Sequence, residues 1–382
     1  MLPLAYTIRN LARNPGRTAQ LVIGSALVCL LVMAASALTR AMDGVLAATG
    51  SPHNVILLGA GSEESVERSE VPATVEGLAP AAIPSITHVL GRPATSTEVR
   101  YMGILSTKDG RELRARMRGV DERAMWVHQN TRLVEGHFPA SGEAMVGTLA
   151  WRALGTTPDD LTPGQTLRLG DMAVRISGTF AAPGTILESE IWLDRNDLMT
   201  ATLRENPSCV VVRLDSPDPT DARLFAFQRS DLEIAAITEP EYYAALSRFF
   251  RPIRHMTWLT AGLIAAAALF GGLNTLYAAL VSRIRELATL QAIGFRRRHL
   301  ILSMWAESTL AATAGFILAA TTTLFLLHDW SVSFSTGVFR LSFGPSTLFL
   351  GLATALGVAI IGTLPPAWRC LHPPLPATLR AS

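Results

Sequence analysis

Four stretches of the chain stay apolar long enough to cross a bilayer core, which takes ~20 apolar residues in a helix. They cover 19–39, 257–282, 301–327 and 346–368. A cleaved signal peptide competes for the first stretch. It is disfavoured because the stretch lies well inside the chain, exceeds an h-region in length and lacks a clear Ala-x-Ala exit. Between the first two stretches, over 40–256, the pattern changes to short alternating runs broken by turn residues. Runs 97–107 and 111–120 read as a hairpin closed at Asp109-Gly110, and 165–169 and 172–180 as a second one turning at Gly170-Asp171. Runs 186–193 and 209–214 read as buried strands. Asp194 is placed to cap a helix over 195–204, a second helix is expected over 221–229, and 241–254 should form a helix that runs on into the second span. The expected architecture is an α+β membrane protein: four transmembrane helices, a large mixed α/β extracytoplasmic domain inserted between helices 1 and 2, and a short loop over 328–345.

Composition supports this division. Of 382 residues, 49% are apolar and 17% charged, and the net charge is only +2. The charges are unevenly placed. Residues 41–255 hold 28 of the 31 acids and 21 of the 33 bases, a net of −7; the remainder holds 3 acids and 12 bases, a net of +9. A single soluble domain and a disordered chain are both excluded. Arg placement sets the orientation. Arg9, Arg13 and Arg17 precede the first span; Arg283, Arg285, Arg296, Arg297 and Arg298 lie between the second and third; Arg369 and Arg380 follow the fourth. Glu286 is the one acid among them. Both termini and the second-to-third loop are therefore expected to be cytoplasmic, with 40–256 outside a cell inner membrane.

The chemistry-bearing residues exclude more than they offer. The chain has one lysine, Lys108 in Ser106-Thr107-Lys108-Asp109-Gly110, so a Walker A loop ending in Gly-Lys-Ser/Thr cannot be written. No cofactor site is expected in this chain, and an ATP-driven cycle would need its motor on another polypeptide. His53, His88, His128 and His137 lack metal-ligand spacing and read as ordinary surface or core residues. Ser141-Gly142-Glu143 is not a nucleophile elbow. Cys29, Cys209 and Cys370 fall in a span, outside and inside, so they cannot pair. The acidic run 61–75 reads as a solvated loop or mobile strand. Glu307 lies about six residues into the third span, ~9 Å of rise, where pairing with Arg283 or Arg297 is a simpler role than a proton path. Gly262, Ala266, Gly271 and Gly272 let the second span approach another helix closely, across a homodimer or within one subunit, with Asn274 able to hydrogen-bond there.

The segment 281–305, VSRIRELATLQAIGFRRRHLILSMW, is the most specific. Leu287, Leu290 and Ile293 recur at helical spacing and Gly294 can end the helix. Together they read as a short interfacial helix presenting apolar side chains. Arg285-Glu286-Leu287-Ala288, Leu290, Ala292-Ile293-Gly294 and Arg297 resemble the signature of FtsX/MacB-type (type VII) ABC transporter permeases. Ile8-Arg9-Asn10-Leu11-Ala12-Arg13-Asn14 with Arg17-Thr18 is similar to that family's amphipathic N-terminal helix, here within 1–18. Pro366-Ala367-Trp368-Arg369-Cys370, Pro376-Ala377 and Leu379-Arg380 are similar to its tail, here 369–382. Gly119-Val120-Asp121, Glu135-Gly136 and Gly142-Glu143 resemble the periplasmic core domain of MacB-like members. Gln291 departs from the pattern, where a basic residue is common.

The resemblance implies a coupling helix within 283–300 that docks on an ABC ATPase. Arg285, Glu286, Leu287, Leu290, Ile293, Gly294, Phe295 and Arg297 would make the contact. It also implies that ATP and Mg are bound by that separate ATPase, and that a second permease copy or a related permease completes the complex. A periplasmic adaptor or membrane-fusion protein and the lipid bilayer are further implied partners; nucleic acid is not. The implied function is mechanotransmission: ATP hydrolysis moves the extracytoplasmic domain, for export or for lipid, lipoprotein or peptide handling in the envelope. The alternative is a non-transporting, FtsX-like regulator of cell-wall hydrolases.

Overall fold

The computed structural model describes residues 4–282, 289, 291–327, 330–334 and 337–371. In chain order the elements are α1 (Leu4–Arg13), α2 (Pro15–Thr49), β1 (Asn54–Gly59), α3 (Val75–Ala82), β2 (His88–Val89), β3 (Arg92–Pro93), β4 (Thr95–Ser106), β5 (Glu112–Val120), α4 (Ala124–Val127), β6 (Arg132–Gly136), β7 (Glu143–Gly147), α5 (Ala150–Leu154), β8 (Thr166–Leu169), β9 (Met172–Ala181), β10 (Ile191–Asp194), α6 (Arg195–Ala201), β11 (Cys209–Arg213), α7 (Thr220–Gln228), β12 (Ile234–Thr238), α8 (Glu239–Phe249), α9 (Arg251–Ser282), α10 (Arg297–Thr322), β13 (Ser331–Phe334), β14 (Gly337–Arg340) and α11 (Pro345–Leu371). Two compact units result. One comprises 1–40, 252–330 and 341–382; the other comprises 41–251 and 331–340.

The first unit contains helices long and apolar enough to cross a membrane. These are α2, α9, α10 with its five-residue π-helical extension Thr323–Leu327, and α11. The sequence places the first span over 19–39, but α2 continues unbroken for 35 residues to Thr49, since nothing between Arg40 and Thr49 breaks a helix. Helices α2, α10 and α11 pack around Cys29, Met33, Ala312, Ala319, Ala355 and Ala359. Two glycines permit this. A Cβ on Gly315 would lie 2.6 Å from the Val22 carbonyl oxygen, and one on Gly351 would lie 2.6 Å from Met33 Sδ.

The second unit has two lobes that share β4. In one, β12, β1, β11 and the start of β4 form an antiparallel sheet, with Asn54 opposite Arg213 and Leu58 opposite Cys209. Helices α3 and α7 cover that sheet through Val75, Ala79, Ala222 and Phe225. In the other lobe the pairings β4–β5, β5–β10, β10–β7, β7–β9, β9–β8 and β8–β4 close on themselves. This six-strand ring encloses Val99, Leu105, Met117, Val146, Leu167, Ile176 and Leu193. Closure removes most of the free strand edge that an open sheet would expose.

Local signals account for many of these elements. The β4–β5 hairpin turns at Thr107–Gly110, where Gly110 takes φ +78 and its N–H donates to the Thr107 carbonyl. The β8–β9 hairpin turns at Gly170, φ +58. Asp194 caps α6, its Oδ1 accepting from the backbone N–H groups of Asn196 and Asp197. Asp194→Ala should cost ~1 kcal/mol of stability, read as a lower thermal midpoint.

Three expectations are corrected. Run 186–193 is not one strand. Ile186–Ser189 forms a 3-10 turn, in which Ser189 Oγ donates to the Ile186 carbonyl, and only Ile191–Asp194 pairs in the sheet. The helix predicted over 241–254 is interrupted: α8 ends at Phe249, Phe250 caps it, and α9 starts at Arg251. The acidic run 61–75 is anchored rather than solvated, with Val66 and Val71 buried and Glu67 paired to Arg116 at 3.1 Å.

Candidate functional site

Of the predicted coupling segment, Arg285, Glu286, Leu287 and Leu290 lie outside the described residues. The remainder is well defined. Residues 291–292 are helical, the Ile293 N–H donates to the Thr289 carbonyl, and the Gly294 N–H donates to the Gln291 carbonyl. Gly294 then takes φ +107, a backbone conformation that side chains with a Cβ avoid, and the helix stops. Arg296, extended at φ −70 and ψ 143, begins the turn into α10. Ile293 is 71% exposed, Phe295 is half-buried, and Arg296, Arg297 and Arg298 are exposed. An uncovered apolar side chain thus sits beside three guanidiniums between two long apolar helices.

Glu307 accepts from Arg17 Nη2 and ties the start of α2 to α10; Arg283, one of its two expected partners, lies outside the described residues. In sequence Arg17 informs only the orientation, because a partner 290 positions away leaves no trace in local spacing. Among the described residues, a Cβ on Gly262 or Gly272 would meet no atom within 4 Å; Ala266 is half-buried and Asn274 is exposed. Gly315 and Gly351 make close helix contacts that no local pattern marks.

Where the two lobes of the inserted domain meet lies a buried ionic network that spacing could not reveal. Arg118 on β5 donates through Nε (2.7 Å) and Nη2 (2.9 Å) to Glu190, and through Nη1 (2.7 Å) to Glu98 Oε2. Arg100 adds Nε and Nη2 bonds to the same Oε2 at 3.2 and 3.1 Å. His128 Nε2 lies 2.6 Å from Glu98 Oε1, and Trp192 Nε1 donates to Glu190 Oε2 at 3.1 Å. Burial alone would raise the pKa of both carboxylates. The fields of Arg118, His128 and Arg100 overcome this and hold Glu98 well below the usual glutamate range, while Arg118 lowers Glu190. Burial pushes the nearby Cys209 thiol up to about 12, so it stays protonated. His128 thus has a structural role. Among the described residues no group of three or more His, Cys, Asp or Glu side chains is arranged to hold a metal.

The network extends to the points where the chain enters and leaves this domain. Glu239, in the first turn of α8, accepts from the Ser51 N–H at 3.0 Å and from Asn54 Nδ2 at 3.1 Å. Gly50 lies against Pro240, and a Cβ there would be 3.0 Å from the Pro240 nitrogen. The end of α2 and the start of α8 are therefore bound to each other.

Comparison with known proteins places both parts of the chain. Residues 19–228 match the family model of the MacB-like periplasmic core domain, and residues 258–375 match that of the FtsX-like permease C-terminal. Among solved structures the chain is similar to the periplasmic region of MacB from Actinobacillus actinomycetemcomitans, at 10% identity and a TM-score of 0.37. The match covers 50% of this chain and 91% of that one. It is similar too to the extracellular domain of the noncanonic ABC-type transporter YknZ from Gram-positive bacteria, at 15% identity, TM-score 0.36, and coverage of 48% and 100%. A domain of a putative permease protein from Porphyromonas gingivalis matches at 13% identity, TM-score 0.34, and coverage of 49% and 89%. No curated protein matches the chain.

Proposed function

The chain belongs to the FtsX-like permeases with a MacB-like periplasmic core domain, and on that premise we propose that it is the transmembrane subunit of an ABC transporter. A separate ATPase binds ATP and Mg and docks on the segment that ends at Gly294. Its cycle moves the inserted domain, for export or for handling of envelope lipids, lipoproteins or peptides. The observation that carries this reading is the exposed Ile293, held by a helix end between α9 and α10 and flanked by Arg296, Arg297 and Arg298. Positive charge concentrated on one side supports a cytoplasmic location for this segment and both termini, with 40–256 outside.

Gly262, where an added Cβ would meet no atom among the described residues, supports pairing with a second permease copy, because a small residue on a membrane helix lets another helix approach closely. An adaptor outside the membrane is a further proposed partner. The bound ends of α2 and α8 supply a rigid input to the inserted domain, as mechanical transmission requires.

Affinity purification of the full chain from solubilised membranes is expected to bring down an ABC ATPase in stoichiometric amount. Its absence overturns the proposal. In the same membranes an impermeant thiol reagent should label Lys108→Cys from outside and leave Arg296→Cys unlabelled until the membrane is opened. The reverse pattern overturns the orientation.

A further inference from the structure

Hydropathy alone makes 328–345 a short loop, yet its segment 331–340 groups with the inserted domain. β13 and β14 pair antiparallel, Ser331 with Arg340 and Phe334 with Gly337. A two-stranded hairpin this short is barely stable by itself, so its order must come from what it packs against. Three contacts supply that. Gly337 lies against Ser189 and Ile186; a Cβ there would be 2.9 Å from Ile186 Cγ2. Arg152 Nη1 donates to Ser331 Oγ at 3.3 Å. Phe339, fully buried, and Phe334 stack 5.7 Å apart and meet Phe250 at 6.5 and 6.1 Å between ring centroids.

Phe250, 3% exposed, is the residue at which α8 ends and α9 begins. Its ring packs on a hairpin delivered by the third and fourth spans.

We propose that the β13–β14 hairpin is a strap. It docks on the inserted domain at Phe250, so that displacement of the third and fourth spans reaches that domain through Phe339, Phe334 and Phe250. The proposal that force passes this way rests on the mechanotransmission reading above; the strap's packing does not.

Hydrogen exchange on the full chain in nanodiscs tests both parts. In Phe334→Ala with Phe339→Ala, amides of 331–334, 337–340 and 247–254 should exchange about tenfold faster or more, while those of β1 and β11 stay protected. Phe334→Leu with Phe339→Leu keeps apolar volume and should stay close to the native rates. Unchanged exchange at 247–254 in the alanine pair overturns the strap.

With the co-purified ATPase and ATP-vanadate, the native complex should show nucleotide-dependent exchange at 239–254. The alanine pair should lose that response while still binding ATPase and nucleotide. A full response in the alanine pair also overturns the strap. If the native chain brings down no ATPase, the transporter reading fails, and the nucleotide-free exchange still decides the strap's packing.

Discussion

Ile293→Asp is expected to remove the ATPase from the purified permease while membrane insertion remains normal. Ile293 is the described apolar side chain of the docking segment with the greatest exposure, and a charge there replaces a desolvated anchor. Loss of one such anchor costs ~2 kcal/mol or more, about thirtyfold in affinity. Gly294→Val should act equally strongly by another route. Its φ of +107 is strained for a β-branched residue, so the turn that sets the direction of Ile293 would be lost. Glu286→Ala, at a position the resemblance assigns to the ATPase contact, should match these effects. Retained ATPase in all three variants, at equal amounts of inserted permease, refutes the docking assignment.

Arg118→Met is expected to be the most destabilising single change in the inserted domain. The guanidinium makes three bonds of 2.7–2.9 Å to two carboxylates, and methionine leaves Glu98 and Glu190 buried without it. Breaking a buried pair from one side costs ~3–5 kcal/mol. For a domain of this size that lowers the thermal midpoint by about 6–20 °C. Arg118→Lys should also fail, because an ammonium cannot form the paired bonds to Glu190.

The pH dependence has a definite sign. Glu98 and Glu190 have pKa values lowered on folding, so their stabilisation is present at neutral pH. It is lost as pH falls through the ordinary glutamate range toward the lowered values. The native protein should therefore lose stability in acid. Arg118→Met should lose less between pH 7 and pH 4, since protonation then relieves uncompensated charge. A midpoint shift under about 2 °C at pH 7 would show that the network contributes little.

The features legible in the sequence are those whose cause is local. The Asp109-Gly110 and Gly170-Asp171 turns, the Asp194 cap and the apolar spans each follow from a few adjacent residues or from a run of one character. The resemblance carried by 285–297 was legible because its spacing is short. The sequence also suggests where α8 lies, and Pro252, in the first turn of α9, marks the break at Phe250. The packing of Phe250 on Phe334 and Phe339, more than eighty positions away, has no such local mark.

Distance along the chain explains the other differences too. Glu307 meets Arg17 because α2 packs on α10. Glu98, Arg118 and Glu190 look like ordinary solvated charges in alternating strands until the ring of strands closes and excludes water around them. The glycines of the second span and Gly315 are alike in sequence, and only the neighbouring helices distinguish them. Composition and periodicity by themselves determined that this chain is a four-span membrane protein with a large inserted domain, because bilayer thickness and strand alternation act on contiguous residues. Which charges are buried, which glycines make contact, and that 331–340 of the third-to-fourth connection is part of the inserted domain were decided only by the tertiary structure, because each depends on residues brought together from distant parts of the chain.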